Sequence, residues 1–340
     1  MLRPRLPLRL AGVIVALGLA ALLALWLIPS GDYILLPDRA KPVAPLVTVP
    51  HEGIAPGGGR GGIYYTDVLV RRATLLEQLI PGLHGGATIV PAHAINPPGV
   101  NDAQRRQADL RDMTRSQDIA AAVALRKLGY KVVARPTGVL VNAVAATAPA
   151  ASKLRPGDLI TAVDGKPVLT IKALRTAMAA RRPGDHVRYT VRRGGKTAQV
   201  ALRTIASPAD AKRAIAGFAP EQGTDLKLPV AVQIDAGEVG GPSAGLAFAL
   251  DVLVELGRQD LAKGNVVAST GEIFLDGSVG PVGGIQQKTI GARRAGATIF
   301  LVPAGDNATE ARRYAGEMRV VPVESFQQAL SALATLPAKP

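Results

Sequence analysis

Between Leu10 and Ile28 the chain runs nineteen residues without a charge (LAGVIVALGLAALLALWLI). That is close to the ~20 apolar residues that cross a bilayer as a helix. Arg3, Arg5 and Arg9 precede the run and Trp26 stands near its far end. Positive charge stays on the cytoplasmic side and an indole suits the interface. The run exceeds the apolar centre of a cleaved secretory signal, and no A-x-A site follows Ile28. The pattern predicts a cytoplasmic basic tail (1–9) and an uncleaved single-pass anchor through the lipid bilayer (10–28). Everything after Pro29 then lies outside the cytoplasmic membrane.

Beyond the anchor the patterning changes repeatedly. Residues 31–62 are rich in Gly and Pro, and HEGIAPGGGRGG reads as a loop. Ile63 to Val70 has strand composition. A polar stretch, Asn101 to Gln117, leads into a helix over Asp118–Leu128 that Gly129 stops. From Gly138 short apolar runs alternate with turns: strands at Val139–Val141 and Leu159–Val163, a helix Ile171–Arg181 capped by Thr170, and strands His186–Arg192 and Ala198–Leu202 about Gly194-Gly195. Leu228–Ile234 reads as a strand, Ser243–Leu256 as a buried helix, Val266–Ala268 as a strand, and Ile285–Ala295 as a helix ended by Gly296.

Composition narrows the classes. The chain has 340 residues, 48% hydrophobic and 19% charged, enough for two cores built from aliphatic side chains. Without cysteine there is no thiolate nucleophile, disulfide or Cys-based metal site. The net charge of +14 comes from scattered Lys and Arg with no nucleic-acid module, so nucleic acid is not an expected partner. His51, His84, His93 and His186 are dispersed, and neither a metal site nor a cofactor is expected. Gly195-Lys196-Thr197 falls short of a phosphate loop, because Thr190 stands where a glycine is required.

The chemistry-bearing segment is Gly240-Gly241-Pro242-Ser243-Ala244-Gly245, before the buried helix. At a helix N-terminus, free N–H groups favour developing negative charge. Ser243 is thus a candidate nucleophile, with Gly240, Gly241, Pro242 and Ala244 shaping the turn and an oxyanion site. On those six residues alone a helix N-cap explains Ser243 equally well. Lys288, early in the next predicted helix, supplies a candidate base. It requires a pKa near ~7–8, which takes burial or nearby positive charge.

Two resemblances follow. Residues 131–205 resemble a bacterial protease-type PDZ domain, through Thr137-Gly138-Val139-Leu140-Val141, Leu154-Arg155-Pro156-Gly157-Asp158-Leu159-Ile160 and Asp164-Gly165. The resemblance implies that Thr137–Val141 form a carboxylate-binding loop and strand, to which a peptide adds as a further strand. Leu174 and Met178, one turn apart, line the groove or face the core. Residues 206–336 resemble the Lon family of serine–lysine peptidases, through Gly241-Pro242-Ser243-Ala244-Gly245, Thr270-Gly271-Glu272-Ile273, Val282-Gly283-Gly284-Ile285 and Lys288. This implies Ser243 as nucleophile, Lys288 as general base and Thr270 as the residue orienting the lysine. The cytoplasmic ATP-dependent enzymes carry an acidic residue where this chain has Gly240.

Anchor, PDZ and dyad together resemble the membrane-anchored bacterial PDZ–Lon peptidases. The implied fold is an α/β (α+β) Lon-type proteolytic domain with a PDZ-like β-rich domain and one N-terminal transmembrane helix. The implied activity is ATP-independent endoproteolysis of unfolded polypeptide substrates by a homo-oligomer. Residues 31–130 are expected to lend strands to the proteolytic fold, making the PDZ an insertion. The rival readings are a non-catalytic PDZ adaptor and a signal-peptidase-like Ser–Lys enzyme.

Overall fold

A computed structural model describes residues 8–49, 61–96, 100–145, 147–257 and 259–339. The basic tail up to Pro7, most of the expected Gly-rich loop, and His51 lie outside the described residues. Helix α1 (Leu8–Leu27) is apolar from Leu10 onward, with Val13, Leu17 and Leu23 exposed. Among the described residues no helix is long and apolar enough to cross a membrane, so the expected transmembrane helix is not supported here.

Strand β1 (Pro29–Pro37) follows at once, and the expected strand Ile63–Val70 proves to be two. β2 (Gly62–Tyr65) and β3 (Val68–Thr74) are separated by Thr66-Asp67 and belong to different sheets. β3 pairs antiparallel with β1, which also pairs with Thr88–Val90. β2 enters the main sheet described below. The chain changes sheet at Thr66-Asp67.

The polar stretch 101–117 and the apolar one after it form one helix, α2 (Asp102–Lys127). Asn101 accepts from the Gln104 N–H and Gln104 reaches back to the Asn101 N–H, a capping box at the start of the polar stretch. The first half of the helix is polar because it is half-exposed, and Ala120 to Leu125 are buried against the core.

The PDZ-like sheet then runs β4 (Val133–Val144), β5 (Leu159–Val163), helix α3 (Ile171–Ala179), β6 (His186–Arg193) and β7 (Lys196–Arg203). Gly194 and Gly195 have φ of 53° and 79°, as a two-residue hairpin needs. The sheet's outer strand, β8 (Phe218–Lys227), pairs along the whole of β4. It therefore reaches past residue 205, into the stretch assigned from sequence to the proteolytic part.

The chain returns through helix α4 (Gly245–Gly257), β9 (Val266–Ser269), helix α5 (Ile285–Arg294), β10 (Ile299–Pro303) and β11 (Arg319–Val323). The main sheet has the order Lys41–Pro42, β2, β9, β10, β11, and its last four strands are parallel. Both faces are covered, so β10 is buried at every position. Ile299 and Leu301 face a core shared with α4, while Phe300 and Val302 face one shared with α5. Because β2 pairs with β9, strands from both sides of the PDZ-like segment meet in one sheet. Of the expected strand Leu228–Ile234, only Gln233–Ile234 forms, against Val47–Thr48.

Candidate active site

Gly241 has φ of 82°, a conformation that glycine adopts without strain, and turns the chain into a single 3₁₀ turn, Pro242–Ala244, that runs into α4. Helix α2 clamps this turn. The Gly241 N–H donates to the Asp109 carbonyl (2.7 Å), and the Ser116 hydroxyl donates to the Pro242 carbonyl (3.0 Å). From below, the Gly271 N–H (2.8 Å) and the Thr270 hydroxyl (3.1 Å) both donate to the Ser243 carbonyl. Pro242 has no N–H and that of Gly241 is committed. The first backbone donor of the turn without a partner among the described residues is the N–H of Ser243.

Thr270 is fully buried, and the bond it makes holds the nucleophile turn. Among the described residues it makes no hydrogen bond to Lys288, so its observed action is on the serine side and not on the lysine expected from the resemblance. Gly240 also has a local explanation. A Cβ there would come 2.7 Å from the Asp109 Cβ, so a side chain would push α2 away. The Asp109 carboxylate itself accepts from Arg105 (3.2 Å).

Lys288 lies in the first turn of α5, behind Gly284, whose φ of 66° starts the helix. It is 4% exposed. Burial pulls its pKa down to about 7, against an opposing pull from Asp67. The helix N-terminus also disfavours a cation. Gln287 pins the helix, donating to Thr88 Oγ1 (2.9 Å) and the Gly86 carbonyl (3.2 Å).

Ser243 and Lys288 line the same cleft, of about 980 Å³, with Ala244, Gly283 and Gly284. Thr66, Asp67 and the first half of α2 complete its walls. No hydrogen bond joins Ser243 to Lys288 among the described residues, and such bonds are often loose before substrate binds. Thr66 and Asp67 were missed from sequence. The only signal was a Thr-Asp pair interrupting a strand pattern.

The PDZ-like residues are placed differently from expectation. Val139 and Val141 are buried, and β4 pairs with β5 on one edge and β8 on the other. Thr137–Val141 therefore offer no free edge to a peptide. Gln222 of β8 donates to the Gly138 and Leu169 carbonyls, and accepts from the Ile171 N–H (3.2 Å). Leu174 and Met178 face the core, where Met178 Sδ accepts from the Tyr189 hydroxyl (3.2 Å).

With this geometry in view, residues 196–335 match the Lon protease (S16) C-terminal proteolytic domain, and residues 126–204 match a PDZ domain. One stretch of the chain is thus similar to a PDZ domain and the next to the proteolytic domain of Lon proteases. Lon proteases are serine peptidases with a Ser–Lys dyad, and the enzyme class of the matched domain is serine-type peptidase. Lon protease 1 of Sorangium cellulosum (strain So ce56) is 26% identical over 270 residues, 69% of this chain and 32% of that protein. Lon protease of Phenylobacterium zucineum (strain HLK1) is 32% identical over 146 residues, 43% of this chain and 17% of that protein. The chain thus spans about a third or less of these relatives. Among solved structures, the PDZ domain of the SdrC-like protein from Listeria monocytogenes is 27% identical, over 25% of this chain and 87% of that one, with a TM-score of 0.23.

Proposed function

We propose that this chain is a serine endopeptidase in which Ser243 is the nucleophile and Lys288 the general base. The observation that carries the reading is a lysine only 4% exposed, with its pKa brought to about 7, in one cleft with the serine of a helix-start turn. Near neutrality such an amine is substantially unprotonated and can accept a proton. Ser243 Oγ attacks the scissile carbonyl carbon as its proton passes to Lys288 Nζ, and the carbonyl π pair moves onto oxygen. The Ser243 N–H is the turn's free donor to that oxyanion. Collapse breaks the C–N bond, with the ammonium proton going to the leaving amine. Water then repeats the sequence on the acyl-enzyme.

The finer parts of the reading rest on separate supports. ATP independence agrees with Gly194-Gly195-Lys196 forming a β-hairpin instead of a phosphate loop. Membrane attachment, with the catalytic part extracytoplasmic, is supported by the exposed apolar side chains of α1 behind three arginines. Capture of polypeptide by the PDZ domain falls to the outer edge of β8, since β4 is paired on both sides. Assembly into a homo-oligomer is part of the same proposal.

The test is turnover of a fluorescently labelled unfolded protein by the full chain in detergent without ATP, beside Ser243→Ala and Lys288→Ala. Turnover by the wild type and none by either variant is the expected result. Equal turnover in all three would remove the dyad.

A further inference from the structure

Thr66-Asp67, where the chain leaves one sheet for another, is followed by Val68, which packs against the start of Lys288's helix. A Cβ on Gly284 would come 2.8 Å from Val68 Cγ2, so the turn before Lys288 and the end of this segment are in close contact. Further along the helix, a Cβ on Gly291 would stand 1.9 Å from the Asp38 carbonyl oxygen. The acids of these two segments are tied through one cation. Lys41 Nζ donates to Asp38 Oδ2 (2.8 Å) and to Asp67 Oδ2 (3.2 Å). The other carboxylate oxygen, Asp67 Oδ1, is buried and has no hydrogen-bond partner among the described residues. Thr66 Oγ1 is in the same condition, and Thr66 is 1% exposed. Both residues line the cleft that holds Lys288. A buried acceptor without a donor is costly, which makes it a place to look for a donor that arrives during function.

We infer that Asp67 is a positioning residue of the dyad: its uncommitted oxygen receives the Lys288 ammonium formed when the lysine takes the Ser243 proton. The inference rests on the Ser–Lys reading above. In the resting site Nζ is unprotonated and Asp67 Oδ2 stays with Lys41. When Ser243 Oγ bonds to the carbonyl carbon and its proton moves to Nζ, one N–H of the new ammonium donates to Oδ1. On collapse that nitrogen returns the proton to the leaving amine, and Oδ1 is free again. No proton passes to Asp67, so charge and atoms balance within the dyad and substrate. Asp67, Lys41 and Asp38 stand on one side with the Tyr65 hydroxyl. Asp102, Arg105, Arg106 and Asp109 of α2, Glu238, and Arg71 and Arg72 of β3 line the rest of the cleft. Asp67 is the group whose charge opposes the effect of burial on Lys288.

The test reads the lysine itself as well as turnover. In the full chain with ε-¹³C-labelled lysine, the Lys288 signal is assigned by its loss in Lys288→Met and titrated by NMR. In Asp67→Asn the Lys288 titration is expected to move down by about one unit or more, since an opposite charge has been removed. The acid limb of kcat/KM should move down with it, and plateau kcat should fall roughly 10- to 100-fold with KM little changed. Lys41→Met, at an exposed position, should move the titration the other way by freeing the Asp67 charge. An unmoved titration in both variants overturns the inference, as does an upward shift in Asp67→Asn. If the wild type turns over nothing while the titration moves in these two directions, the Asp67–Lys288 coupling stands and the peptidase reading falls.

Discussion

The two domains treat buried charge in opposite ways. In the PDZ domain Asp158 is 1% exposed and fully tied. Arg193 donates to both its oxygens at 2.6 Å, and the Arg155 N–H adds a third bond at 2.9 Å. In the proteolytic domain Lys288 is nearly as buried, yet no hydrogen bond holds its Nζ among the described residues, and Asp67 offers an oxygen without a donor. A charge with its partners in place fixes a loop. One without them is held ready to change protonation, and its burial is a standing cost to the fold. The contrast separates a structural use of burial from a reactive one within a single chain.

Breaking the reactive side has the largest expected effect. Lys288→Met should lower turnover by roughly 10³-fold or more, since dyad members act as a unit. The same change should raise stability. With its pKa lowered to about 7, the folded protein has shed a proton that the unfolded chain keeps up to the ordinary lysine range. The contribution of Lys288 therefore rises with pH from about 7 upward and is most unfavourable below it. Denaturant titrations at pH 6 and pH 9 should show the gain from Lys288→Met shrinking at the higher pH. Equal gains would mean that the lysine is charged in the fold.

The structural side should break in the opposite sense. Arg193→Met strands the Asp158 carboxylate in the PDZ core and should cost about 2–4 kcal/mol in chemical denaturation, because an unpaired buried charge is left behind. A loss below the scatter of such curves would show that Arg193, partly exposed, contributes little.

Asp251 of α4 sharpens the contrast, being a buried acid with an unpartnered oxygen. Burial first, and then the Glu255 charge, push its pKa up to about 7. Between the ordinary aspartate value and about 7 the folded state holds a proton that the unfolded chain has lost. Its contribution to stability thus falls as pH rises through that window. Asp251→Leu should stabilise by about 1–2 kcal/mol at pH 8 and by less at pH 5, read from thermal melts. The smallest effect belongs to a cap: Thr170 accepts from the Ala173 N–H (3.0 Å), and Thr170→Ala should cost about 1 kcal/mol.

What could be read from sequence follows how local each cause is. Ser243 and Lys288 sit in glycine-marked turns at helix starts, and those turns carry their own signals, so the two helices were legible. The PDZ strands were legible for the same reason, since hairpin glycines and a capping threonine mark them. Asp67 was not, because Ile63–Val70 alternates like one strand and only the arrangement of two sheets breaks it there. Nor was the fate of Thr137–Val141. Its free edge is taken by Phe218–Lys227, some eighty residues later, and pairing at that distance leaves no mark in either segment. Gly240 looked like a missing acid until Asp109 of a distant helix appeared against it.

The pairing of Gly62–Tyr65 with Val266–Ser269 has a consequence in time. On a ribosome the first of these strands emerges some two hundred residues before the second, with a complete PDZ fold between them. The early strand must wait, and its sheet closes only after Ile299–Pro303 and Arg319–Val323 have followed. Ser243 and Lys288 come to line one cleft only after both of these separated parts of the chain have been made.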